Sequence, residues 1–216
     1  MSTPPAAAGK LIVLEGIDGT GKTTLAARLV AALRASGVEA VETREPWTSR
    51  HGQELQRLLA QPERTSTKEQ ELALFHADRA EHVAQVVRPA LARGAWVVQD
   101  RTFWSTAAYQ GRPRADATDE SPLTLEAIVA RSLEIAPKPD LTLLLLLAPE
   151  QALARIAKGR AATTSFEKLV TLQAVDCNYR HLARGERSIV PIETDRPVDE
   201  VWQQVERTCR ERVGKP

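Results

Sequence analysis

The residues Gly16-Ile17-Asp18-Gly19-Thr20-Gly21-Lys22-Thr23 satisfy the pattern G-x-x-x-x-G-K-[ST], with a short apolar run before them and an amphipathic run after. The pattern demands a strand, a tight turn and a helix, in that order. Its glycines allow backbone conformations that aim successive N–H groups at one point. The N-terminus of the following helix adds about half a positive charge at the same place. Lys22 supplies a mobile full charge for the β and γ phosphates of a nucleotide, and Thr23 a hydroxyl for Mg²⁺. With Thr24, these residues form the expected binding site for ATP phosphates.

The rest of the chain repeats the alternation that this turn begins. Apolar strands are expected at Lys10 to Glu15, Val38 to Thr43, Ala95 to Asp100, Leu141 to Leu147 and Ser188 to Glu193. Helical spacing fills the intervals: Lys22 to Ser36, a short helix from Gln53 to Leu59, and a long one from the cap Thr67 to about Arg93, with Pro89 kinking or breaking it. Further helices are expected from Ser105, over Leu123 to Ile135, after Pro149, over Phe166 to Arg184, and over Val198 to Val213. Short apolar strands joined by helical connections pair in parallel. The expected fold is therefore an α/β three-layer sandwich with a five-stranded parallel sheet, its ligands at the carboxyl ends of the strands. Residues 1–9 read as a disordered leader, and 10–216 as a single domain. Within that domain, a basic, mobile lid is expected at about 157–166.

Composition sets limits on partners. The chain has 216 residues, of which 29 are basic and 28 acidic, for a formal net charge of +1. No overall field draws it to nucleic acid or to an anionic membrane, so phosphate binding has to be local. The apolar run at Leu141 is far short of the ~20 residues needed to span a bilayer. Cys177 and Cys209 have neither metal-site nor disulfide-framework spacing, and read as buried or half-buried free thiols of a reducing cytoplasm. His51, His76, His82 and His181 lack ligand spacing and read as bystanders.

Asp100 ends the third strand, where a carboxylate joins the magnesium shell, and Arg101 beside it can offset charge on a transferring phosphoryl group. Five segments in this order resemble the bacterial thymidylate kinases, a family of P-loop nucleoside monophosphate kinases. They are Glu15 to Thr24, Thr43-Arg44-Glu45-Pro46, Phe75-His76-Ala77-Asp78-Arg79, Asp100-Arg101 with Ser105 to Gly111, and Pro137 to Thr142. The resemblance spans roughly residues 10 to 205. It implies Mg²⁺-dependent transfer of a phosphoryl group from ATP to dTMP, giving dTDP, in a homodimer. It also implies roles: Asp18 meets the sugar 3′-hydroxyl, Phe75 stacks on the thymine and Arg79 bonds its edge. Thr106 and Gln110 face the base, and Ser105 is grouped with them as substrate-binding. Tyr109 packs beside the sugar, Arg101 bridges the two phosphate groups, Glu45 lies near the monophosphate, and Arg155 lies against adenine. The residue chemistry agrees, since a flat base needs an aromatic platform and an edge donor.

Three positions depart from the family pattern. Trp47-Thr48-Ser49 stands where Gly-Gly-Thr is usual, Gln56 where an arginine holds the acceptor phosphate, and Thr164-Ser165 where the lid carries Asp-Arg. A tryptophan for a glycine changes the bulk of the pocket, and a lost arginine removes charge. Arg50, Arg57, Lys158 and Arg160 are candidates to replace it. These changes leave two alternatives: a kinase of the same fold acting on another or modified pyrimidine nucleotide, or a nucleotide-binding regulator of low activity.

Overall fold

Leu11, Ile12, Val13 and Leu14 are all buried, which is possible only for a strand covered on both faces. The computed structural model describes residues 8–61, 66–112, 123–159 and 166–215. In it β1 (Leu11–Glu15) is the central strand of a five-stranded sheet. The other strands are β2 (Ala40–Arg44), β3 (Trp96–Asp100), β4 (Leu141–Leu146) and β5 (Ile189–Glu193). Their order across the sheet is β2-β3-β1-β4-β5, and every pairing is parallel.

The alternation of β1 side chains sorts the helices into two layers. Leu11 and Val13 face one core, whose helices are α3 (Lys68–His82), α5 (Phe103–Gln110), α6 (Leu125–Leu133) and α8 (Phe166–Gly185). Ile12 and Leu14 face the other, built with α1 (Lys22–Ala35) and α9 (Val198–Val213). Two further helices, α2 (Arg50–Leu59) and α7 (Pro149–Gly159), flank the carboxyl end of the sheet. Because β1 has β3 on one side and β4 on the other, a crevice opens at their carboxyl ends. No described helix is long and apolar enough to cross a membrane.

Several boundaries differ from expectation for local reasons. The second helix starts at Arg50 rather than Gln53, because Ser49 caps it by accepting from the Gly52 N–H. The helix at 103 starts early because Thr102 accepts from the Trp104 N–H. The long helix does not end at Pro89. It widens into a π-helical turn over Val83–Val87 and continues as α4 (Arg88–Ala92). Proline has no N–H to give to the preceding turn, and a wider turn accommodates that loss. Residues 1–7 of the expected leader lie outside the described residues, and Gly9 is packed, a Cβ there lying 2.4 Å from the Ala95 carbonyl oxygen. Cys209 is buried as expected, but Cys177 is exposed. Residues 160–165 of the expected lid lie outside the described residues.

Candidate functional site

The glycine turn lies at the carboxyl end of β1. Gly16 has φ +136°, and a Cβ there would meet the Leu145 carbonyl oxygen at 2.4 Å, so no other residue fits. Lys22 is folded back over the turn and donates to the carbonyls of Gly16 and Ile17 at 3.0 and 2.9 Å. Burial, and then the charge of Arg101, push its ammonium down to about 8. Thr23 Oγ1 donates to Asp100 Oδ2 at 2.7 Å, joining the first residues of α1 to the end of β3. The other carboxylate oxygen of Asp100 is buried with no hydrogen-bond partner among the described residues.

Two adjoining clefts open here. The first, of about 490 Å³, is lined by Asp18, Gly19, Gly21 to Thr24, Arg44, Glu45, Pro46, Asp100 and Arg101. Nearly all of these side chains are polar. The second, of about 330 Å³, has an apolar wall of Leu59, Phe75 and Tyr109 and a polar edge of Ser105, Thr106 and Gln110. Asp18, Glu45, Pro46 and Arg101 line both. Arg101 pairs with Asp18 and lies over the Tyr109 ring, 5.2 Å from its centroid. Burial alone would lower the Arg101 pKa, but Tyr109, Tyr179, Asp18 and Glu15 hold it well above its ordinary value. The guanidinium is therefore a permanent charge at the junction of the clefts. Beside the second cleft, Gln110 Oε1 is buried without a partner among the described residues.

A third cleft of about 300 Å³ lies behind the turn, between Thr20, Thr24, Arg155, Thr194, Arg196 and Val198. Arg155 donates to the Thr194 carbonyl at 2.7 Å. Arg155 was expected from the sequence, but Thr194 and Arg196 were not. Their signal is positional: the segment Thr194-Asp195-Arg196-Pro197 leaves the carboxyl end of β5, where sheets of this kind bind ligands.

The expected site residues thus come together, with one correction. Arg79 does not line the second cleft. It is fully buried and donates through Nε and Nη2 to Glu45 Oε2 at 3.0 and 2.8 Å, and to Thr106 Oγ1 at 2.8 Å. Phe75, four residues earlier on α3, faces the cleft, while the longer Arg79 side chain reaches under it to the buried carboxylate. Glu45 is correspondingly more than a cleft wall. Burial raises its pKa, but Arg79 and His82 outweigh that effect and hold it below the ordinary carboxylate value.

His82 is no bystander either. It is fully buried, 2.7 Å from Thr43 Oγ1 and 3.4 Å from Glu45 Oε1. His76 is pushed down to about 4, first by burial and then by Arg79, so it is neutral at physiological pH.

The departure at Trp47-Thr48-Ser49 acquires a structural explanation, while Thr164-Ser165 lie outside the described residues. Trp47 lines neither of the two clefts; it stacks on His82 with ring centroids 5.5 Å apart. Its backbone N–H donates to Asp78 Oδ2 at 2.7 Å, and Ser49 Oγ donates to Asp78 Oδ1 at 2.5 Å. Gly52 packs on this corner, where a Cβ would lie 2.0 Å from the Trp47 carbonyl oxygen. The tryptophan therefore anchors the loop instead of narrowing the pocket. Replacing it should act on stability: Trp47→Ala is expected to lower the melting temperature by several degrees, a loss of about 1–3 kcal/mol. Any change in acceptor KM should stay within about threefold, since Trp47 lines neither cleft; steady-state kinetics and a thermal melt together check this. Of the candidate replacement cations, Arg50 lines neither cleft and Arg57 pairs with Glu54 on the surface. Arg44, at the end of β2, lines the first cleft instead.

Comparison with known proteins agrees with this geometry. The family model for thymidylate kinase matches residues 14–205. A thymidylate kinase of Dinoroseobacter shibae is 40% identical over 205 residues, covering 91% of this chain and 94% of that protein. One from Prochlorococcus marinus is 38% identical over 213 residues, covering 95% and 96%. A probable thymidylate kinase of Archaeoglobus fulgidus is 37% identical over 197 residues, covering 91% and 93%. On the match of this family model along nearly the whole described site, the chain belongs to the thymidylate kinase family.

Proposed function

We propose that the protein transfers the γ-phosphoryl group of ATP to dTMP, giving ADP and dTDP, with Mg²⁺. The carrying observation is the wall shared by the two clefts, with Arg101 and Asp18 on it. Ligands that fill both clefts meet at a fixed guanidinium, as in-line transfer between two phosphates requires.

In this reading the loop amides and Lys22 hold the donor phosphates in the first cleft, and the adenine lies by Arg155. The thymine occupies the second cleft against Phe75, with Thr106 and Gln110 at its edge and Arg79 orienting Thr106 from behind. Tyr109 packs by the sugar, and Asp18 accepts its 3′-hydroxyl. Arg101 offsets the charge that spreads over the transferring group. Arg44 supplies cationic charge on the side where Gln56 has lost it.

The donor set fits a magnesium ion. A hydroxyl and a carboxylate with an unmet oxygen stand together, and hard cations on phosphate take oxygen ligands of this kind. Among the described residues no group of three or more His, Cys, Asp or Glu could hold a metal, so the ion would depend on the nucleotide and water for its other ligands. Thr23 and Asp100 would hold the ion, which when bound neutralises charge on the β and γ phosphates. The reading also includes one domain over residues 10–216, a lid at about 157–166, a homodimer and a cytoplasmic setting.

The test is ADP release with ATP, Mg²⁺ and a panel of monophosphates. The expected result is that dTMP is turned over with a kcat/KM about 10-fold or more above that for dUMP, the contribution of one methyl group in a pocket. Absence of dTMP-dependent ADP release from well-folded protein would refute the proposal.

A further inference from the structure

Glu15 is the last residue of β1 and is fully buried. It lines neither of the two clefts, yet it is heavily bonded. Its Oε1 accepts from the Thr102 N–H at 2.7 Å, the Thr102 hydroxyl at 3.1 Å and the Ser105 N–H at 3.2 Å. Its Oε2 accepts from the Ser105 hydroxyl at 2.6 Å and the Tyr179 hydroxyl at 2.8 Å. Burial raises the pKa of this carboxyl above its ordinary value, and the Ser105 hydroxyl, the charge of Arg101, the Tyr179 hydroxyl and the Thr102 N–H work against that rise.

Thr102 and Ser105 flank Arg101, which stands at φ +70°, a conformation costly for a residue with a Cβ. Three contacts keep it there. Its N–H reaches the Leu14 carbonyl at 3.0 Å, its carbonyl accepts from Gln99 Nε2 at 2.9 Å, and its Nη1 donates to Ser105 Oγ at 3.0 Å. Ser105 Oγ also lies 2.8 Å from the Tyr179 hydroxyl, so the two hydroxyls and Glu15 Oε2 form a closed triangle that shares the hydroxyl protons. Arg101 donates to Ser105, Ser105 and Tyr179 each donate to Glu15, and Glu15 holds the backbone on the far side of Arg101.

We propose that Tyr179, acting through Glu15 and Ser105, is a positioning residue that fixes the Arg101 guanidinium at the junction of the two clefts. Tyr179 lies on α8 and is 2% exposed, so it touches no substrate and sets only where the arginine stands. Removing its hydroxyl leaves Oε2 with one donor and lets Ser105 turn, which moves the guanidinium. The inference rests on the phosphoryl-transfer reading above, because it assigns Arg101 to the transition state.

The experiment is a double-mutant cycle. Tyr179→Phe keeps the ring in its apolar surroundings and removes one oxygen. In wild-type background it is expected to lower kcat about 10- to 100-fold, the scale of an ångström-sized misplacement, with KM for ATP and dTMP within about twofold. In an Arg101→Ala background the same change should lower the single-turnover rate by less than about twofold, because the group it positions is gone. If Tyr179→Phe does not fold, as judged by its melting transition, Glu15→Gln is carried through the same cycle with the same expectation. Equal losses in both backgrounds, or an unchanged kcat, overturn the inference. Wild-type turnover of dTMP is measured first: its absence sinks the phosphoryl-transfer reading, whereas normal turnover with an additive cycle sinks this inference alone.

Discussion

Lys22→Met is expected to lower kcat by about 10²–10³-fold or more, while raising the melting temperature of the nucleotide-free protein at pH 7. The rate loss follows from removing the mobile charge on the donor phosphates, a contact that strengthens as charge develops. The stability gain follows from the position of that charge before nucleotide binds. Burial and Arg101 push the ammonium down from 10.5 to about 8. Between those values the unfolded chain holds more protons at this position than the folded one, so stability rises with pH across the window. Below it the full penalty applies, on the order of 3 kcal/mol. Methionine removes the charge and keeps the stem. The carbonyls of Gly16 and Ile17 lose a donor, which returns about 1 kcal/mol each. The net gain of about 1 kcal/mol corresponds to about 2–4 °C for a chain of this size. The wild type should close the gap as the buffer approaches pH 10. An unchanged kcat, or a lower melting temperature at pH 7, contradicts the assignment.

The largest stability loss is expected at Arg79. Arg79→Met leaves Glu45 buried without its principal partner, a situation that costs about 3–5 kcal/mol. That corresponds to a fall of roughly 6–20 °C in melting temperature. Adding Glu45→Gln to the same chain removes the uncompensated charge and should recover more than half of the loss. The pH dependence has a definite sign. Arg79 and His82 depress Glu45 below its ordinary value, so its contribution is present above the usual carboxylate range and is lost as the pH falls through the folded value. Wild type should therefore lose stability on acidification more steeply than the double variant. Kinetically, Arg79→Met should raise KM for dTMP far more than KM for ATP, because Arg79 orients Thr106 at the edge of the second cleft and meets the first only through Glu45, which lines both. Equal effects on both substrates would place the damage elsewhere.

What the sequence made legible was mostly local. The turn from Gly16 to Thr23 carries its geometry in its glycines, and Asp100 carries its position in the end of an apolar strand. The spacing of Phe75 and Arg79 correctly put both on one helix. It did not say that a long side chain with five donors reaches under the cleft to a buried carboxylate. Trp47 reads as an intrusion at the phosphate site in the sequence, but His82 and Asp78 stand beside it, on α3, with helix α2 intervening along the chain. The Glu15–Tyr179 contact joins residues 164 positions apart, and neither shows any pattern that foretells it. Periodicity reports the face a residue occupies, not the partner waiting there.

The strand order has a consequence for how the chain comes into being. The first strand made is the innermost, and its two neighbours are β3 and β4, encoded far downstream. As the chain leaves the ribosome, Leu11 to Glu15 wait through more than half of synthesis for a second flank. A product that stops before Leu141 presents a bare, apolar, open-sided ribbon, a form that pairs readily with other chains. Assembly of this enzyme is therefore gated by its second half, and interrupted translation is expected to yield aggregates rather than a smaller working protein.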